Sequence, residues 1–330
     1  MPASTVLGCG AHLPSREVGN DELAGMLGLT ADAITERTGI VRRYYVDEGV
    51  GPSDIARDAS LAALERAGRT PADVDLVFFA TMTPDLAFPG SGCLLQTKLA
   101  APTVGAYDVR AQCAGFLFAL ASADRFVRGG AARCVLVAGA EVYSTALDFS
   151  PKGVAATPVF GDGAGAMLLG PAEQPGVVAI ALHTDPRDFE RFWCEFPASR
   201  NRPARMTREA AEQGLHYYRL DAAAVHPQAE RALVDVAHEA LDRAGVGPDR
   251  LAVAVVSYFD PRVARRAADA LGVPADRVVA TAEAAGHVGA AGIPIALAEA
   301  TASGRVAAGD LVLCAAFGAG MSWAAAVLRI

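Results

Sequence analysis

Lysine is almost missing from this chain of 330 residues: only Lys98 and Lys152 occur, and arginine supplies the rest of its 29 basic side chains. With the high alanine content, this bias reads as codon usage of a GC-rich genome and carries no functional meaning. Acidic residues outnumber basic ones, and the formal charge of −8 excludes binding to nucleic acid through a basic surface. The cysteines (Cys9, Cys93, Cys113, Cys134, Cys194 and Cys314) are scattered without a Cys-x-x-Cys pair. Neither a zinc cage nor a disulfide framework is therefore expected, and no metal or permanently bound cofactor. No apolar run reaches the roughly 18 residues that span a bilayer, so no membrane association is expected. The opening MPASTVLGCGAHLP has no basic region followed by an apolar one, so no signal peptide is expected and the default location is a reducing cytoplasm. The spacing G-x-G-x-x-G is also absent, which removes a phosphate-binding fingerprint.

What the chain has is a hydrophobic share of 52%, enough for one large core or two fused ones. It also repeats itself. AALERAGRTPADVDLVFF (62 to 79) and EALDRAGVGPDRLAVAVV (239 to 256) share an order: amphipathic helix end, glycine stop, polar turn, β-branched run. FGDGAGAMLLG (160 to 170) and FGAGMSWAAAVLRI (317 to 330) both lead from a glycine turn into an apolar strand. The chain is expected to form two similarly folded halves, 1 to 170 and 171 to 330. Apolar strands such as VDLVFFAT (74 to 81) and CVLVAGA (134 to 140) alternate with helical segments, which indicates α/β sheets covered on both faces. Ser53 is expected to cap the helix that Gly68 ends. The polar, aromatic-rich stretch from Asp185 to Tyr218, with Trp193, breaks the rhythm and reads as a lid, a binding loop or disorder.

Cys113, in DVRAQCAGFLFALASADRFVRGG (108 to 130), stands just before an apolar helix expected from Gly115 to about Arg128. A thiol there feels the positive end of the helix dipole, which favours a nucleophilic thiolate. A buried, inert cysteine is the commoner fate of this residue type. FGDGAG and FGAG can aim backbone N–H groups at a carbonyl oxygen, or simply close tight turns. Asp260 is a natural N-cap before Pro261, a role that accounts for it without catalysis. Arg262, Arg265 and Arg266 form either a solvated face or a patch meeting an acidic carrier or a nucleotide phosphate. In AAGHVGAAG (284 to 292), His287 stands among small residues with no ionisable neighbour within three positions. His238 reads as structural, and the other histidines have no suggestive partners.

The order DVRAQCAGF, FGDGAGAM, the glycine-flanked segment around 286 and FGAGMSW resembles β-ketoacyl-acyl carrier protein synthase III of the thiolase superfamily. ERTGIVRR (36 to 43) and AFPGSGCLLQ (87 to 96) fit it as well. The resemblance implies a thiolase-like, five-layered αβαβα fold with two duplicated halves, and a homodimer. It places Cys113 as the acylated nucleophile and the amides of Cys113 and Ala319 in an oxyanion hole. It also places Phe88 on a loop reaching the partner's acyl pocket, and Arg37 and Arg262 near a pantetheine entrance.

This chain departs from the condensing members where it matters for chemistry. Ser257 replaces their catalytic histidine, His287 replaces their asparagine, and Ala33 replaces a tryptophan that stacks on coenzyme A. Decarboxylative condensation needs two neutral donors on the extender's thioester carbonyl, and here they become a serine and an imidazole. A nucleophile, an oxyanion hole and one base remain, sufficient for acyl transfer. Asp260 or Ser257 is expected to orient His287. The pattern is similar to the ester- and amide-forming acyltransferase subgroup of specialised metabolism. The expected reaction moves an acyl group from an acyl carrier protein phosphopantetheine or coenzyme A thioester to a hydroxyl or amine of a natural-product acceptor, possibly a glycoside. In that reading Trp193 and its segment shape the acceptor site. The alternatives are a decarboxylating condensing or starter-unit enzyme, and a non-catalytic ketosynthase-like partner subunit.

Overall fold

The computed structural model describes residues 3–202 and 204–330. Ten strands make two five-stranded sheets with the same plan. The first sheet uses β1 (Ala3–His12), β2 (Leu76–Ala80), β3 (Gly105–Val109), β4 (Val135–Glu141) and β5 (Gly163–Ala172), in the spatial order β1-β5-β4-β2-β3. The second uses β6 (Val177–Thr184), β7 (Leu251–Ser257), β8 (Val278–Ala280), β9 (Leu311–Gly318) and β10 (Ser322–Arg329), in the order β6-β10-β9-β7-β8. In each sheet the three strands at one end run parallel and the next two antiparallel. The internal repeat in the sequence is thus a repeat of topology.

Six helices complete the layers: α1 (Pro52–Arg66), α2 (Ser91–Lys98), α3 (Gly115–Arg128), α4 (Ala222–Ala244), α5 (Pro261–Ala270) and α6 (Gly292–Ala302). Helices α1 and α2 cover the outside of the first sheet, α4 and α5 the outside of the second. Helices α3 and α6 lie between the sheets, giving five αβαβα layers. Their sequences explain the position. In α6, GIPIALAEATA, nearly every side is apolar and buried, as a helix enclosed on all sides requires. Helix α3 buries Phe116, Leu117, Leu120 and Val127, each contributing about 1.5–3 kcal/mol by leaving water. Its one buried charge, Asp124, accepts a hydrogen bond from Ser4 Oγ at 2.6 Å.

One local expectation is corrected. Ser53 lies inside α1, not at its cap; the cap is Gly51, and the Ser53 hydroxyl donates to Asp85 at 2.6 Å. The segment from Asp185 to Tyr218 carries short elements, including a two-stranded ribbon pairing Phe192–Trp193 with Arg219–Leu220. Among the described residues no helix is long and apolar enough to cross a membrane. The six cysteines are all free.

Candidate active site

The first sheet delivers Cys113. Beyond β3 the chain passes through a short 3-10 turn, Gln112–Ala114, that runs directly into α3. Gln112 has φ 47°, a left-handed conformation that side-chain-bearing residues avoid. Such strain, typically about 1–3 kcal/mol, persists only where the surrounding packing holds it. It sets Cys113 at the mouth of α3 with 1% of its surface exposed. The helix dipole was expected to favour thiolate, and here burial outweighs it. Desolvation, reinforced by the Glu141 carboxylate, pushes the thiol up to about 12. The nearby Tyr143 hydroxyl and the backbone amides of Ala319 and Cys113 oppose this without overcoming it. At rest Cys113 is a thiol.

The second half delivers His287. Gly286 turns the chain with φ 71°, and a Cβ there would stand 2.9 Å from Arg43 Cβ, so the position demands glycine. The His287 amide then donates to the Val159 carbonyl at 2.8 Å, and its carbonyl accepts from the Gly161 amide at 3.1 Å. The FGDGAG turn therefore clamps the backbone of the histidine, rather than forming an oxyanion hole. Buried Arg43 braces the clamp by donating to the Pro158 carbonyl at 2.7 Å. The result is a side-chain contact between residues 174 positions apart: His287 Nε2 lies 3.1 Å from Cys113 Sγ. The ring is enclosed between Phe160 and Phe259, and burial pulls its pKa down to about 3. Thiol and imidazole therefore form a neutral pair.

The two residues expected to orient His287 do not do so. Asp260 caps α5 by accepting from the Arg262 amide at 2.9 Å and pairs with the Arg262 guanidinium at 2.6 Å. Its other neighbour is His226, at 3.6 Å. Ser257 is fully buried, and its hydroxyl accepts from Thr281 Oγ1 at 3.3 Å. His287 Nδ1 has no hydrogen-bond partner among the described residues. The arrangement is a dyad. Its tautomer is not locked by a carboxylate, as it is where a third member donates or accepts behind the ring.

The other expected residues are placed as follows. The Ala319 amide approaches the thiol sulfur, as an oxyanion donor beside Cys113 should. Arg37 is exposed and lines a cavity of about 380 Å³ together with His226, Phe259 and Asp260. Arg262 is not free to meet a ligand. Besides Asp260 it holds the carbonyls of Glu36 and Arg37, both at 2.6 Å, while Arg265 and Arg266 pair with Glu283 and Glu230. Phe88 is 89% exposed. Trp193 lines a second cavity, of about 430 Å³, that abuts the site at Gln112, Ala319 and Gly320. His238 is exposed on α4.

Two site residues escaped the sequence reading, and a third, His226, was among the histidines expected to have no suggestive partner. Glu141 closes the all-apolar strand β4, buried, and accepts from the Thr83 hydroxyl at 2.7 Å and the Met82 amide at 3.2 Å; desolvation lifts its carboxyl to about 7. A carboxylate ending a buried strand was the available signal. Tyr143 projects its hydroxyl toward Cys113 without completing a hydrogen bond, and burial raises its pKa well above the phenol range. His226 Nδ1 lies 3.1 Å from the Tyr258 hydroxyl, beside the cavity that Arg37 lines.

Comparison with known proteins identifies the family. Two family models match, described as 3-oxoacyl-[acyl-carrier-protein (ACP)] synthase III over residues 107–186 and its C-terminal part over 241–330. The chain is 39% identical to a β-ketoacyl-[acyl-carrier-protein] synthase III of Rhodobacter capsulatus, covering 99% of this chain and 98% of that one. Among solved structures, 3-oxoacyl-[acyl-carrier-protein] synthase III of Aquifex aeolicus superposes with a TM-score of 0.89 at 32% identity, covering 99% of this chain and 100% of that one. The priming β-ketosynthase of the R1128 polyketide pathway superposes with a TM-score of 0.91 at 32% identity, covering 99% and 96%. These relatives are named as synthases. They favour the condensing alternative over the ester- and amide-forming reading drawn from residues 257, 260 and 287.

Proposed function

The chain belongs to the 3-oxoacyl-[acyl-carrier-protein] synthase III family, and from that premise we propose that Cys113 takes an acyl group from a pantetheine thioester and passes it to a hydroxyl or amine. The observation that carries the proposal is the single imidazole on the thiol: His287 Nε2 at 3.1 Å from Sγ, with Ser257 committed to Thr281 where a second ring would stand. In the first half-reaction Sγ attacks the thioester carbonyl while its proton passes to Nε2. The carbonyl oxygen, now an anion, is held by the amides of Cys113 and Ala319. The pantetheine sulfur leaves and takes the proton back from Nε2. In the second half, Nε2 accepts the proton of the incoming hydroxyl or amine as that group attacks the acyl carbon, and returns it to the departing Cys113 sulfur. His287 begins and ends each half neutral, as its buried, carboxylate-free setting favours.

The donor is a phosphopantetheine on an acyl carrier protein or coenzyme A, entering past Arg37. The family names support the carrier protein, and so does Ala33, which offers no aromatic face to an adenine. The exposed Phe88 fits a homodimer in which this ring reaches the partner.

Condensation is the second reading, and the names of the relatives favour it. Incubation with an acyl thioester followed by a malonyl thioester separates the two. The expected result is an acyl adduct on Cys113 with neither carbon dioxide nor β-keto product. Carbon dioxide release with a β-keto product would establish condensation instead, and the absence of any adduct would leave only a non-catalytic partner role.

A further inference from the structure

The cavity beside the nucleophile is charged in a way that simple acyl groups do not require. Arg110, Arg200 and Arg205 all line it, against the single carboxylate of Glu195 among its described lining residues. Arg110 precedes Cys113 by three positions, and its charge reaches the cavity wall, where it lowers the pKa values of Cys194 and Tyr218 against the raising effect of burial. Other arginines nearby are satisfied: Arg187 pairs with Asp185 and Arg191 with Asp221. Arg110, Arg200 and Arg205 have no such carboxylate partner among the described residues. The rest of the wall is aromatic, from Phe189, Trp193 and Tyr218.

Resting on the acyl-enzyme reading above, we infer that the acyl group carried by Cys113 ends in a carboxylate, which Arg110, Arg200 and Arg205 bind in this cavity. The two arms of a thioester leave its carbonyl in opposite directions. With the pantetheine arm in the cavity that Arg37 lines, the acyl chain is directed to the other cavity, which meets the site at Gln112 and Ala319. The aromatic segment from Asp185 to Tyr218 then shapes the acyl site and not the acceptor site. Guanidinium matches carboxylate in planar, two-pronged geometry, which an ammonium does not. All three arginines are exposed to solvent, so an acyl chain ending in a methyl group leaves them hydrated, whereas a terminal carboxylate gives them a partner at the cavity wall.

The test compares pairs of coenzyme A thioesters that differ only by carboxylate for methyl: succinyl against butyryl, and glutaryl against pentanoyl. The rate of adduct formation on Cys113 is read by intact-protein mass spectrometry. The expected result is that at least one carboxylate member loads about 10–100-fold faster than its methyl counterpart, the range of a charge-assisted hydrogen-bonded contact. In Arg110→Gln and Arg205→Gln, checked for folding by thermal melting, that ratio falls toward one. Equal or faster loading of both methyl members overturns the inference while leaving the acyl-enzyme intact, as does a ratio that survives both substitutions. Failure of all four acyl groups to load, from coenzyme A and from a carrier-protein phosphopantetheine alike, overturns the acyl-enzyme reading itself.

Discussion

His287→Ala is expected to keep slow acylation of Cys113 and to lose transfer to the acceptor by about 10²–10⁴-fold, the worth of a positioned base. The asymmetry follows from the attacking groups, since both steps expel a thiol. Cys113 can still attack through its small thiolate fraction, whereas a hydroxyl or amine attacking the acyl-enzyme must shed its proton as it adds. Imidazole Nε2 lies 3.1 Å from the sulfur and is the base we propose for this step. Glu141 cannot substitute, because its oxygens are occupied by Thr81, Met82 and Thr83. Removing the ring also leaves a hole between Phe160 and Phe259, so His287→Gln serves as a volume-conserving companion. Single-turnover measurement of acylation and discharge, each followed by intact mass, distinguishes the two steps. Unchanged discharge in both variants would refute the base assignment.

Gly318→Ala is the second substitution with a large expected effect. Gly318 ends β9 against the nucleophile, and a Cβ there would stand 2.7 Å from Cys113 Cβ and 2.9 Å from both its amide nitrogen and its sulfur. The Cβ and the amide nitrogen are fixed by the backbone, so the turn carrying Cys113 has to shift. A displacement of about 1 Å at a reacting atom costs on the order of 10² in rate, whereas overpacking a buried position typically costs about 1–3 kcal/mol of stability. The expected result is a folded protein, with a lowered melting temperature, whose acylation is slower by about 10²-fold. Acylation at the parental rate would mean that the end of β9 does not hold the thiol in place.

Much of this architecture was readable in the chain. The paired helix–turn–strand segments announced two like halves, because the same order of unlike elements must fold the same way. The start of α3 at Gly115 and the cap at Asp260 followed from local chemistry. The contact between Cys113 and His287 could not come from spacing, since 174 positions separate them; the family resemblance supplied it. What the sequence misjudged was orientation. Asp260 has a local task, capping α5 and holding Arg262, and that task uses up both of its oxygens. Ser257 ends β7 with its hydroxyl against Thr281, a partner set by packing between distant turns. The thiolate expected at a helix start gave way because desolvation of a fully enclosed sulfur outweighs a dipole felt at one turn. Glu141 and Tyr143 follow an apolar strand, and only the packed site reveals that both face Cys113.

That Cys113 and His287 rest as a neutral pair is the claim on which the proposed proton movements depend. Alkylation of Cys113 by iodoacetamide across pH 5 to 10, read on the Cys113 peptide to separate it from exposed Cys93, tests it directly. Only thiolate reacts, and with the thiol lifted to about 12 its fraction grows tenfold per pH unit throughout that range. The expected profile therefore rises without a plateau. A plateau already reached near pH 7, lost in His287→Ala, would reveal a thiolate–imidazolium pair and contradict the account.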